Sequence, residues 1–127
     1  MTLSKVAKPK MLFLDDRSKR IHAALKQYSD EYEVTIVATV VECLRFLSSE
    51  EWDVVSLDHD LGGEEFCDPE SKTCGMEIVR YLEKTIWPWV DRPGFIIHSS
   101  NSFAATSMCF RLQSLGFTVY LERFQYV

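Results

Sequence analysis

Three short polar clusters carry groups suited to phosphate chemistry: Asp15-Asp16, Asp58-His59-Asp60 and His98-Ser99-Ser100-Asn101. Carboxylates gathered at one point hold a divalent cation. Mg²⁺ in particular favours one or two carboxylates, completed by water and substrate phosphate. Asp15, Asp16, Asp58 and Asp60 are therefore the candidate metal ligands, with Mg²⁺ or Mn²⁺ as the ion. A single Asp after a strand commonly just caps the next segment, but four at two strand ends favour an acidic site. His59 and His98 also fall at strand ends, whereas His22 lies within a helical pattern. Imidazoles titrate near neutrality, so two of them flanking a phosphate supply a general base and a general acid. One takes a proton from water and the other protonates the leaving ribose oxygen of a cyclic phosphodiester. His59, His98 and Asp58 are accordingly the candidate catalytic residues.

Ser99, Ser100 and Asn101 precede a helix whose free N–H groups form a phosphate site. Asn101 or Ser102 serves equally well as its N-cap, and the two roles are compatible. Arg17, Lys19 and Arg20 open the first helix beside the Asp pair. They either meet substrate phosphate, with Arg17 the leading candidate, or form a solvated helix end.

The elements that must position these clusters alternate along the chain. Met11–Leu14 is a short apolar run stopped by Asp15-Asp16, as expected of a buried strand. Residues 18–28 place Ile21, Ala24, Leu25 and Tyr28 at helical spacing. Val34–Val37 is β-branched and predicts a second strand. Thr39 with Glu42 fits a capping box for a helix carrying Val40, Cys43, Leu44 and Leu47. Val54–Leu57 predicts the third strand, and a polar loop of about fifteen residues follows, long for a compact domain. Met76, Val79, Leu82 and Ile86 mark a third helix ended by Pro88. Phe95–Ile97 is the fourth strand, Ser102–Leu115 a fourth helix closed by Gly116, and Thr118–Leu121 a fifth strand. Such an order implies right-handed crossovers and a parallel sheet covered on both faces. Ligands in such folds bind beyond the carboxyl ends of the strands, where the three polar clusters converge.

Composition agrees with this organisation. The chain has 127 residues, 46% hydrophobic and 26% charged, which is one domain's worth over 1–127. Residues 1–10 form a flexible or edge N-terminal segment without the apolar core of a signal peptide. No run is long enough to span a membrane. The net charge is −5, from 14 Lys/Arg and 19 Asp/Glu, which argues against binding DNA by charge alone. Six of the acids (Asp58, Asp60, Glu64, Glu65, Asp68 and Glu70) fall within residues 58–70, where there is no Lys or Arg. The acidity thus marks where a cation is expected. Cys43, Cys67, Cys74 and Cys109 contain no CxxC pair and read as cytosolic thiols, with Cys43 and Cys109 in the core. A zinc site or redox pair at Cys67 and Cys74 is the lesser alternative.

LFLDDR, SLDHDLGG, TCGMEIV and IIHSSN, in that order over residues 11–123, resemble the receiver-like fold of response regulators. More closely, they resemble the cyclic-phosphate processing receiver-type domains of phage and prokaryotic RNA-repair or conflict systems. The resemblance implies a three-layer α/β/α, flavodoxin-like fold with a five-stranded parallel sheet of order 2-1-3-4-5 and no C-terminal helix. It also implies a cytoplasmic phosphoesterase acting on 2′,3′-cyclic phosphate RNA ends or cyclic nucleotides, with no membrane partner and no sequence-specific DNA binding. A signalling receiver would instead need a Lys after the fifth strand, where this chain reads Leu121-Glu122-Arg123-Phe124. The alternative is a non-catalytic nucleotide-binding module or a degenerate response-regulator receiver.

Overall fold

The computed structural model describes residues 7–61 and 67–122. Its strands are β1 (Lys10–Leu14), β2 (Glu33–Val37), β3 (Val54–Leu57), β4 (Gly94–Ile97) and β5 (Val119–Leu121). The helices are α1 (Ser18–Tyr28), α2 (Val40–Ser49), α3 (Met76–Lys84) and α4 (Ser102–Ser114). The sheet is wholly parallel in the order β2-β1-β3-β4-β5, as the resemblance implied. Residues 1–6, Glu64, Glu65 and Arg123 lie outside the described residues. Lys10 belongs to β1 rather than to a loose leader: its N–H donates to Asp53 Oδ2 at 2.7 Å.

A strand presents alternate residues to opposite faces. Leu12, Leu14, Val55, Leu57, Phe95 and Ile97 point to one side and enter the larger core with side chains of α2, α3 and α4. Met11, Phe13, Val54 and Ile96 point to the other, where Ala24 and Tyr28 of α1 meet them. Asp15, Asp58, His98 and Glu122 share the parity of this second set. Each takes the first position beyond its strand and donates its N–H to the last carbonyl of the neighbouring strand: Asp15 to Val37, Asp58 to Leu14, His98 to Leu57 and Glu122 to Ile97. The sheet thus sets these four side chains in one row at its carboxyl edge, on the α1 face.

The helix ends follow local chemistry. Thr39 Oγ1 accepts from Glu42 N–H at 3.2 Å, the expected cap of α2. Gly116, at φ 92°, closes α4 with Gly116 N–H bonded to Gln113 O and Phe117 N–H to Leu112 O, the paired bonds of a Schellman end. Two expectations shift. The buried stripe of α1 is Arg20, Ala24 and Tyr28, while Leu25 is 38% exposed, so the helix is rotated to bring a cation inward. Helix α3 ends at Lys84, two residues before Ile86, which is 92% exposed. Thr85 there is already extended, as suits the approach to Pro88.

Candidate active site

The carboxylates at the ends of β1 and β3 meet. Asp15, Asp16 and Asp58 offer oxygens that all lie within 4.8 Å of one another, and Asp15 and Asp58 are fully buried. Asp60, expected as a fourth ligand, is not in this group. Its Oδ1 receives His59 Nδ1 at 2.8 Å, Cys67 N–H at 3.0 Å and Asn101 Nδ2 at 3.3 Å. Asp60 therefore ties the acidic loop to the start of α4.

The cation facing these acids is Arg20, from the first turns of α1 and only 4% exposed. Its Nη2 donates to Asp58 Oδ2 at 2.8 Å and to Asp15 Oδ1 at 3.1 Å. Its Nε sits 2.6 Å from Asp15 Oδ2 as an ion pair lying off the hydrogen-bond axis. Arg17, the basic residue expected at the site, is exposed at the N-cap of α1, and its backbone N–H donates to Asp15 Oδ1 at 2.9 Å. Reading Arg20 as one of three interchangeable bases missed it. The signal was its four-residue spacing to Ala24 and Tyr28, which puts it on the buried stripe.

One guanidinium between two buried carboxylates leaves the charges unequal. Burial pushes Asp58 up to about 7, and the charge of Asp15 adds to the effect against the opposing pull of Arg20. Burial works against the charge of Asp15 as well. Hydrogen bonds from His98, the Arg17 N–H and Arg20 outweigh it and hold the carboxyl below its ordinary value.

His98 is 2% exposed and stacks on Phe13 with ring centroids 4.4 Å apart. Its Nε2 lies 3.1 Å from Asp15 Oδ2 and its Nδ1 2.7 Å from Ser56 Oγ. Burial lowers its pKa against the pull of Asp15, which favours a neutral ring. An ionised Asp15 only accepts, so Nε2 carries the proton and Nδ1 accepts from the Ser56 hydroxyl. Both nitrogens are thereby engaged.

His59 is also fully buried, with Nδ1 bound to Asp60 and Nε2 without a hydrogen-bond partner among the described residues. Since Asp60 Oδ1 receives N–H donors from Cys67 and Asn101, Nδ1 is read as donating too, leaving a lone pair on Nε2. Gly75 makes this packing possible. Its N–H donates to His59 O at 2.9 Å, and a Cβ there would lie 2.0 Å from Asp58 O and 2.9 Å from His59 Cα.

Asn101 caps α4, accepting Ala104 N–H at 3.1 Å, and its own N–H donates to Ser99 Oγ at 3.1 Å. Ser99 is buried and Ser100 exposed. A cleft of about 70 Å³ lies beside them, bounded by Ser99, Ser102, Thr106, Leu121 and Glu122. Glu122 directly follows β5, where a signalling receiver would need Lys, and its Oε1 receives Tyr28 Oη and Gln27 Nε2 from α1. Cys67 and Cys74, expected as thiols, are joined in a disulfide, their Cα atoms 6.5 Å apart, a span such bridges tolerate. A turn through Asp68–Ser71 brings the two sulfurs together, which their spacing alone did not reveal.

Solved structures of similar fold are receiver domains. TrrA of Thermotoga maritima, a response regulator solved in complex with Mg²⁺ and BeF, superposes with a TM-score of 0.65 at 17% identity, covering 92% of this chain and 89% of that one. The receiver domain of Francisella response regulator 1452 gives 0.63 at 18%, over 94% and 87%. The non-phosphorylated HemR receiver domain of Leptospira biflexa gives 0.62 at 18%, over 90% and 81%. These likenesses show the fold alone. No curated protein matches the sequence. The sequence profile of the cyclic-phosphate processing receiver domain, however, matches residues 10–114, spanning β1 to the end of α4 and all three polar clusters. The chain belongs to the cyclic-phosphate processing receiver domain family.

Proposed function

We propose that this domain is a metal-assisted phosphoesterase that opens cyclic phosphates, on 2′,3′-cyclic phosphate RNA ends or cyclic nucleotides. The observation carrying this reading is the meeting of Asp15, Asp16 and Asp58 at one point on a family scaffold tied to cyclic-phosphate processing. The donor set suits a hard divalent cation such as Mg²⁺: three carboxylates from two adjacent strand ends, with Asp16 only partly buried. When bound, such an ion supplies charge neutralisation for a phosphoryl group.

The rest belongs to the side chains. His59 Nε2, with Nδ1 held by Asp60, is the group suited to take a proton from water. The water oxygen forms a bond to phosphorus as the bond from phosphorus to one ribose oxygen breaks. That oxygen takes up the proton His59 removed from water, so the imidazole ends neutral, and the product is a phosphate monoester beside a free hydroxyl. His98 is assigned as a positioning residue, because its two nitrogens are committed to Asp15 and Ser56. Asn101 and Ser99 shape the start of α4, where N–H groups suit a phosphate oxygen.

An NMR titration with a 2′,3′-cyclic nucleotide and Mg²⁺ tests this. The expected result is that amides of Asp15, Asp16, Asp58 and His59 shift together. Shifts confined to residues away from this edge would contradict it.

The degenerate-receiver reading draws on the position of Asp58 at the end of β3. Glu122 in place of a Lys weighs against it, since a carboxylate repels a phosphoryl group. Stable phosphorylation of Asp58 by acetyl phosphate would favour that alternative.

A further inference from the structure

Arg20 has no part in the reading of the site as a cation centre, yet it holds the space that reading requires. Its guanidinium touches Asp15 and Asp58 through three short contacts, from a helix that packs over both strand ends. A cation shared by Asp15 and Asp58 would need the oxygens Arg20 now occupies: Asp15 Oδ1 and Oδ2, and Asp58 Oδ2. Asp58 Oδ1 is already engaged, accepting the N–H of His59 at 2.9 Å. A divalent ion and a guanidinium a few ångströms apart in a buried site repel strongly, because little solvent screens them.

We propose that Arg20 and a divalent cation are alternative occupants of the Asp15–Asp58 pair. Arg20 is then a positioning residue: it holds the two strand-end carboxylates in place while no ion is bound, and it sets how tightly an ion binds. Two buried carboxylates without a cation would strain the closed site, and Arg20 relieves that strain. Binding of the ion turns the guanidinium out of the pair, so ion affinity is lowered by the contacts that must be broken. The inference rests on the reading of the carboxylates as a cation site, and the test separates the two.

Isothermal titration calorimetry with MgCl₂ on the full chain, wild type against Arg20→Gln and Arg20→Met, measures the competition. Both variants should bind Mg²⁺ at least tenfold more tightly than wild type. Their melting temperatures should fall in EDTA and recover on adding MgCl₂, with a larger rise than wild type shows. Mg²⁺ affinity in the variants equal to or weaker than in wild type overturns the exclusion but leaves the cation site standing. Heat of binding in none of the three proteins overturns both. If a variant is unfolded in EDTA, refolding on MgCl₂ addition, followed by circular dichroism, supports the proposal. Failure to refold at concentrations that saturate wild type overturns it.

Discussion

His98 at the end of β4 reaches across β3 to Asp15 at the end of β1, its Nε2 lying 3.1 Å from Asp15 Oδ2. One strand, β3, separates the residues in the order β1-β3-β4, so the contact spans the sheet edge rather than joining neighbours. Ser56, from the intervening strand, holds the far side of the ring at 2.7 Å. The imidazole is therefore built in as a brace between three strands, with Phe13 beneath it.

A brace and a proton carrier differ in their kinetics. His59→Ala is expected to lower turnover of a cyclic-phosphate substrate by about 10²–10⁴-fold and to abolish the basic group's limb of the pH–rate profile. His98→Asn should cost about tenfold and leave the shape of that profile unchanged. Steady-state rates across pH decide between them. An altered limb in His98→Asn would return His98 to the reacting atoms.

Asp58 predicts how stability responds to pH without divalent ions. Its pKa is raised from 3.8 to about 7, so the folded state holds a proton that the unfolded state releases. Its contribution is full below the unfolded value and is lost as pH rises through about 7. His98, with a lowered pKa, acts in the opposite sense: its contribution is lost as pH falls below its ordinary value of 6.5. Comparing wild type with Asp58→Asn isolates the first effect. Urea melts in EDTA should show similar stabilities at about pH 4, and Asp58→Asn more stable by about 2–4 kcal/mol at about pH 7.5. A gap that stays constant with pH would contradict this.

Gly75→Ala tests the packing under the site. In an exposed helix such a change gains stability, but here the new methyl meets the backbone of Asp58 and His59. The expected loss is about 2–4 kcal/mol, from overpacking against atoms that cannot turn aside. A melting temperature at or above wild type would show that the loop yields freely.

The cysteines give a chemical test. Cys43 is buried and its thiol is pushed up to about 12, so it should resist alkylation until the chain unfolds. Cys67 and Cys74 should react only after reduction, and intact mass before reduction should be two hydrogens lighter than after. Cys109 is the thiol expected to label in the folded protein. Labelling of Cys67 without reductant would place the pair in the dithiol form.

Strand ends were the most readable part of the sequence. Apolar runs stopped by Asp15, Asp58 and His98 are short because the strands are, and a parallel sheet must bring such stops to one edge. What lay hidden were the interactions that cross elements. Arg20 looked like surface charge because helix rotation is set by packing, and Leu25 competed with it for the inward face. Asp60 carried the same residue type as its neighbours, yet its direction depends on the fold of the following loop around Cys67. The histidines were legible as candidates from their positions. Their separate roles rest on partners in Ser56 and Asp15 for one and Asp60 for the other.

The central claim is hydrolysis at the carboxylate cluster, and it is tested most directly by incubating the protein with an oligonucleotide ending in a 2′,3′-cyclic phosphate, with MgCl₂ or with EDTA. Separation of products by mass should show a single phosphate monoester formed with MgCl₂, and none with EDTA or with Asp15→Asn or Asp58→Asn. An intact cyclic phosphate after long incubation with the wild-type protein and MgCl₂, or turnover unchanged in both variants, would contradict the account.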